Sequence, residues 1–106
     1  MIIDCAFHGH AQRADICEGQ ATSFFRTAKG TLWPLCPPCA ERHKQLILDL
    51  TRRQKIPVGS VAGAVFDIPL DDAEVLAAFQ AQDPKRVEAV IGQVDARLAE
   101  ILREVN

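Results

Sequence analysis

Four cysteines, Cys5, Cys17, Cys36 and Cys39, stand within the first forty positions of a 106-residue chain that has no others. Two of its three histidines, His8 and His10, share the same stretch. A segment of that size buries little apolar core, so it depends on a cross-link or a metal for its fold. The N-terminus MIIDCAFHGH has neither a basic region nor an apolar run of leader type. That predicts a reducing, cytoplasmic setting, where clustered cysteines more often bind metal than pair. Disulfides would leave three connectivities open. No apolar run approaches about 18 residues, so no membrane span is expected.

The rest of the chain divides around this cluster into three expected parts. Residues 1–56 form a zinc-binding β-hairpin and helix, 57–70 an apolar connector, and 71–106 a helical hairpin. ATSFFRT (21–27), a turn at Gly30 and TLWPL (31–35) read as the β-hairpin. Phe25 and Trp33 pack it, and Pro34 suits a strand end. A helix is predicted from Pro38 to Lys55, with Cys39, His43, Leu46, Ile47 and Leu50 at helical spacing, and with Pro57 and Gly59 as its stop. VAGAVF within the connector fits a short strand or a buried loop equally. Asp71 or Asp72 caps a helix through AEVLAAFQAQ, and Asp83 with Pro84 starts another. In that last helix Val87, Ile91, Val94, Leu98, Ile101 and Val105 recur at heptad spacing. This stripe either packs on the rest of the chain or joins two copies into a homodimer.

Charge is split as well. Residues 1–56 carry a net +3 and residues 57–106 a net −5. Arg42, Lys44, Arg52, Arg53 and Lys55 put five cations on the helix after the cysteines, a possible nucleic-acid contact. A more ordinary cause is two differently solvated surfaces.

Zinc takes four tetrahedral thiolate or imidazole ligands, and a pair spaced by two residues grips one ion from a tight turn. Cys5-Ala-Phe-His8 and Cys36-Pro-Pro-Cys39 are two such pairs. The hairpin between them brings them together, and the helix N-terminus after Cys36 favours charged sulfur. Knuckle, hairpin and ligand pair entering a helix is the layout of treble-clef zinc folds. The expected class is therefore α+β: a small zinc-stabilised hairpin and helix followed by a helical hairpin.

C-x2-H-x8-C (Cys5, His8, Cys17) followed by Leu35 and C-x2-C (Cys36, Cys39) resembles a B-box-type zinc finger over residues 5–43. The resemblance implies one ion held by Cys5, His8, Cys36 and Cys39. A second ion site would be degenerate, since Gln20 stands where Cys or Asp is expected and only His43 represents the late histidines. The chain also resembles a short bacterial zinc ribbon, in which Cys17, Cys36 and Cys39 bind zinc with Cys5, His8 or His10 as the fourth ligand. His43 and His10 are then hydrogen-bonding partners behind the ligands. The B-box likeness implies protein–protein interaction.

Catalytic signatures are missing from the sequence. HGHAQ has no Glu for a deaminase H-x-E, CPPC lacks the βαβ frame of redox CxxC motifs, and VGSVAG lacks a phosphate-loop Lys. The four cysteines also lack the compact spacing of ferredoxin-type iron–sulfur sites. The expectation is a non-enzymatic adaptor or interaction module built on structural zinc, with a nucleic-acid-associated regulator as the alternative.

Overall fold

The computed structural model describes residues 2–10, 14–55 and 61–85, together with 88, 89, 91–93, 96, 100 and 103. In order along the chain these give β1 (Ser23–Arg26), β2 (Leu32–Leu35), α1 (Pro37–Arg52), β3 (Val65–Pro69) and α2 (Ala73–Ala81). The fold is α+β, with an antiparallel sheet ordered β2-β1-β3.

The hairpin forms where aromatic and β-branched residues predict it. Thr27 and Thr31 close its loop, and Gly30 at φ +91° supplies the left-handed residue that a three-residue loop requires. Successive side chains point to opposite faces. Phe25 and Trp33, directly paired with ring centroids 5.5 Å apart, face α1. Phe24 faces the other way and meets Phe79 of α2 at 5.0 Å. Helices thus meet both faces of the sheet, which explains why two adjacent phenylalanines are both buried.

Pro34 lies inside β2 rather than at its end, and the strand tolerates it because β2 is an edge. Its carbonyl faces outward and accepts from the Ala6 amide at 2.7 Å, so its missing N–H costs no ladder bond with β1. Further along the same edge, the Gln82 carboxamide pairs with both backbone groups of Leu32, at 2.6 and 3.1 Å. One side chain there does the work of a neighbouring strand.

The apolar connector is the third strand. Val65–Pro69 pairs with β1, so the sheet crosses the boundary expected at residue 56. A bulge shifts the register between Phe24 and Arg26, and Asp67 adopts φ 59°. Asp is among the few residues that take this conformation without great cost. Its carboxylate receives the Lys44 ammonium of α1 at 2.7 Å, and Lys44 also lies 5.6 Å from the centre of the Phe66 ring.

Helix α1 ends three residues earlier than predicted, and by another device. The Lys55 amide donates to the Leu50 carbonyl and the Gln54 amide to that of Thr51, with Gln54 at φ 59°. This is a Schellman motif with glutamine where glycine is usual. Pro57 and Gly59 lie outside the described residues. Helix α2 starts as expected, with the Asp72 side chain accepting from the Val75 amide at 3.1 Å. Asp83 caps the next segment through the Lys85 amide at 3.0 Å, and the described positions beyond it are helical. Of the heptad stripe only Ile91 is described; it is buried in the same core cluster as Trp33 and Cys39. Val87, Val94, Leu98, Ile101 and Val105 lie outside the described residues.

Two substitutions should move stability in opposite directions. Gln54→Gly relieves the left-handed strain and should stabilise by about 1 kcal/mol. Gln82→Leu removes both edge bonds and should destabilise by about 2 kcal/mol. Urea denaturation of each variant, with unchanged m-values, measures both.

Candidate metal centre

The sulfurs of Cys5, Cys17, Cys36 and Cys39 all lie within 4.8 Å of one another. Four thiolates around zinc at about 2.3 Å would stand about 3.8 Å apart, and Cys17 and Cys36 are 4.0 Å apart. None of the four is disulfide-bonded. Donor type, number and spacing therefore fit a tetrahedral thiolate-bound ion.

Three separate pieces of chain deliver these sulfurs. Cys5 comes from a short antiparallel arm: Asp4 bridges Gln20, the Cys5 amide donates to the Gly19 carbonyl at 2.9 Å, and Ala21 donates to Ile3 at 2.8 Å. Gly19 holds φ +84° there, and a Cβ added to it would sit 3.1 Å from the His8 ring. Cys17 follows a turn at residues 14–16 and is half-buried, whereas the other three cysteines are buried. An ion pair between Asp15 and Arg42, at 3.6 Å, ties this loop to α1.

Cys36 and Cys39 open α1, with Cys36 as the N-cap and Pro37 and Pro38 filling the first two helical positions. Amides at those positions have no helical acceptor, so proline loses nothing there and its fixed φ stiffens the fork between the two sulfurs. The Ala40 amide closes the first turn on the Cys36 carbonyl at 2.9 Å.

The surroundings treat the sulfurs unequally. Burial lifts the Cys5 thiol to about 11. Burial also lifts Cys39 well above its ordinary value, with hydrogen bonding to Cys36 and the charge of Cys5 adding to it. Burial pushes Cys36 up too, yet its pKa falls below the ordinary value, because the backbone amides of Glu18 and Cys39 and side-chain hydrogen bonding with Cys39 and Cys5 together outweigh burial. The Glu18 amide lies 3.4 Å from the Cys36 sulfur. Such amide donors, together with the positive end of α1, favour thiolate.

His8 stands outside this group. It is exposed, and Cys17 is the fourth member of the cluster in its place. His10 rests edge-on against Phe7 at 5.8 Å. His43 is only 2 % exposed and sits among the rings of Phe7, Phe25, Trp33 and Phe66, at centroid distances of 5.0 to 6.4 Å. Phe7, fully buried beside Cys5, had no periodic pattern to mark it in the sequence. Gln20 contributes a backbone bridge rather than a ligand.

Three of the five basic residues in and just after α1 meet carboxylates. Arg42 meets Asp15, Lys44 meets Asp67, and Arg53 meets Asp49 at 3.5 Å. Arg52 and Lys55 are exposed. Among the described residues no helix is long and apolar enough to cross a membrane. Comparison with known proteins finds no match to the chain among family models, curated proteins or solved structures.

Cys17→Ser should weaken metal retention severely, while His8→Ala should leave stoichiometric binding intact; competition with a chromogenic chelator separates the two. Binding at pH 7 should release at least two protons, from Cys5 and Cys39, because both thiols stay protonated in the metal-free fold. Calorimetry in buffers of differing ionisation enthalpy counts them. Since burial raises Cys5 from 9.0 to about 11, this thiol costs the metal-free fold nothing below pH 9, and stability falls as pH rises from 9 through about 11, where only the unfolded chain releases the proton.

Proposed function

We propose that this chain is a structural-zinc module that displays a protein-binding surface, an adaptor rather than a catalyst. The observation that carries this reading is the four-sulfur cluster. Four thiolates complete a tetrahedron and leave no open position for substrate, the pattern of structural rather than catalytic zinc. Soft thiolate donors suit zinc, and equally the thiophilic ions copper(I) and iron, over oxygen-seeking cations. Cys5, Cys36 and Cys39 also belong to the core cluster, so the ion would be continuous with the packing that organises the sheet.

The hairpin leading into a helix that opens with Cys36 and Cys39 supports a treble-clef or B-box-like kinship in layout. The placement of Cys17 favours the ribbon-like ligand set of Cys5, Cys17, Cys36 and Cys39 over the set containing His8. A nucleic-acid role through Arg42, Lys44, Arg52, Arg53 and Lys55 has less support, because three of these cations already face carboxylates.

Elemental analysis with native mass spectrometry should find one zinc per chain, and stripping it should cost the fold of the N-terminal half, read by near-ultraviolet circular dichroism. A folded, metal-free chain would refute the reading. If the heptad stripe joins two copies, Leu98→Asp or Ile101→Asp should convert a dimer mass to a monomer mass; a wild-type monomer would place the stripe against its own chain. Low-salt binding to duplex DNA that is lost on replacing Arg52 and Arg53 would favour the nucleic-acid role instead.

A further inference from the structure

We infer that the metal centre is also a peroxide-sensitive switch in which Cys17 is the attacking sulfur and Cys36 its disulfide partner. This inference rests on the metal-centre reading above and adds a regulation to it. Its ground is an asymmetry among the four sulfurs. Cys5, Cys36 and Cys39 are 3 %, 0 % and 0 % exposed, whereas Cys17 is half-buried. Cys17 is thus the residue of the four most open to a small oxidant, and among thiolates held alike by one ion, exposure selects which is oxidised.

Geometry puts Cys36 within reach as the partner, in a cluster whose sulfurs all lie within 4.8 Å of one another. The Cys17 and Cys36 sulfurs stand 4.0 Å apart, against about 2.05 Å in a disulfide. Closing that gap needs one of the two to move. Cys36 is the N-cap of a sixteen-residue helix and follows strand β2, so both flanks hold it. Cys17 lies in a loop between a turn and an isolated bridge, and the Asp15–Arg42 ion pair at its edge is exposed. The loop is the side that moves.

The chemistry balances with hydrogen peroxide as the two-electron oxidant. The Cys17 thiolate attacks one peroxide oxygen, the O–O bond breaks, and a protonated hydroxide leaves as water, giving a sulfenic acid. The Cys36 thiolate then attacks the Cys17 sulfur and the S–O bond breaks. Its hydroxide takes a second proton and leaves as water. The two sulfurs have lost two electrons, and two metal–sulfur bonds have been replaced by one S–S bond. Cys5 and Cys39 alone remain as ligands, too few to retain the ion.

Trypsin separates the possibilities cleanly. Cleavage places Cys5 in peptide 1–13, Cys17 in 14–26, and both Cys36 and Cys39 in 30–42. Protein purified under reducing conditions is assayed for metal, treated with limiting peroxide, alkylated and digested. Peptide 14–26 linked to 30–42 should appear first, in step with metal release. Fragmentation at Pro37 and Pro38 then assigns the link to Cys36 or Cys39. Cys17→Ser should abolish that product, and should leave residual metal, where bound, unreleased by the same dose. An early bond within 30–42, a link from 1–13, or metal retained while Cys17 is oxidised would each overturn the switch. A reduced protein without metal would refute the structural-zinc reading instead, and the peptide pattern would still decide the Cys17–Cys36 pairing.

Discussion

Everything in the N-terminal half converges on the contact between four sulfurs drawn from three pieces of chain. Thiolates this close repel one another, and thiols this buried contribute little beyond their small apolar surface. The burial that raises Cys5 and Cys39 keeps them protonated until a cation arrives. A thiophilic ion would reverse that balance, replacing the protons on Cys5 and Cys39 and joining the arm at Cys5, the loop at Cys17 and the start of α1. The amides directed at Cys36 and the paired prolines after it prepare one corner of the site in advance.

The sheet serves this centre as a frame. Its hairpin places β2 so that Leu35 runs directly into Cys36, and the outer edge of β2 receives the N-terminal arm through the Ala6 amide. That hydrogen bond, together with the arm's pairing to Gly19, Gln20 and Ala21, seats Cys5 near the start of α1. Strand β3 completes the other side of the sheet, and the bulge at Asp67 turns its carboxylate toward Lys44, fastening β3 to the same helix. Aromatic rings around His43 fill the space between sheet and helix. A peroxide-sensitive Cys17 fits this frame, because it is the ligand held least firmly by regular structure.

Much of this was legible in residue order. The hairpin, its glycine turn, α1, the Asp72 cap and the Asp83 restart all follow from local chemistry: β-branched and aromatic runs, side-chain oxygens that bond nearby amides, and helical periodicity. Where expectation and structure part, the cause is non-local. Val65–Pro69 has no alternating pattern, since β1 and the core around Phe25 decide its conformation. The end of α1 depends on a left-handed Gln54 that propensity disfavours. Pro34 is admissible inside a strand only because that strand is an edge.

The site divides along the same line. Residue order alone established that the chain carries a cysteine-rich metal-type cluster and that Cys36 and Cys39 form one half of it, because a C-x-x-C fork at a helix start is local geometry. Which residues complete the set was open between His8 and Cys17, three residues from Cys5 in the first case and twelve in the second. Sequence spacing favoured the nearer histidine. Tertiary structure brings Cys17, not His8, beside the other three sulfurs, because the arm pairing that seats Cys5 against Gly19 leaves His8 exposed over that glycine.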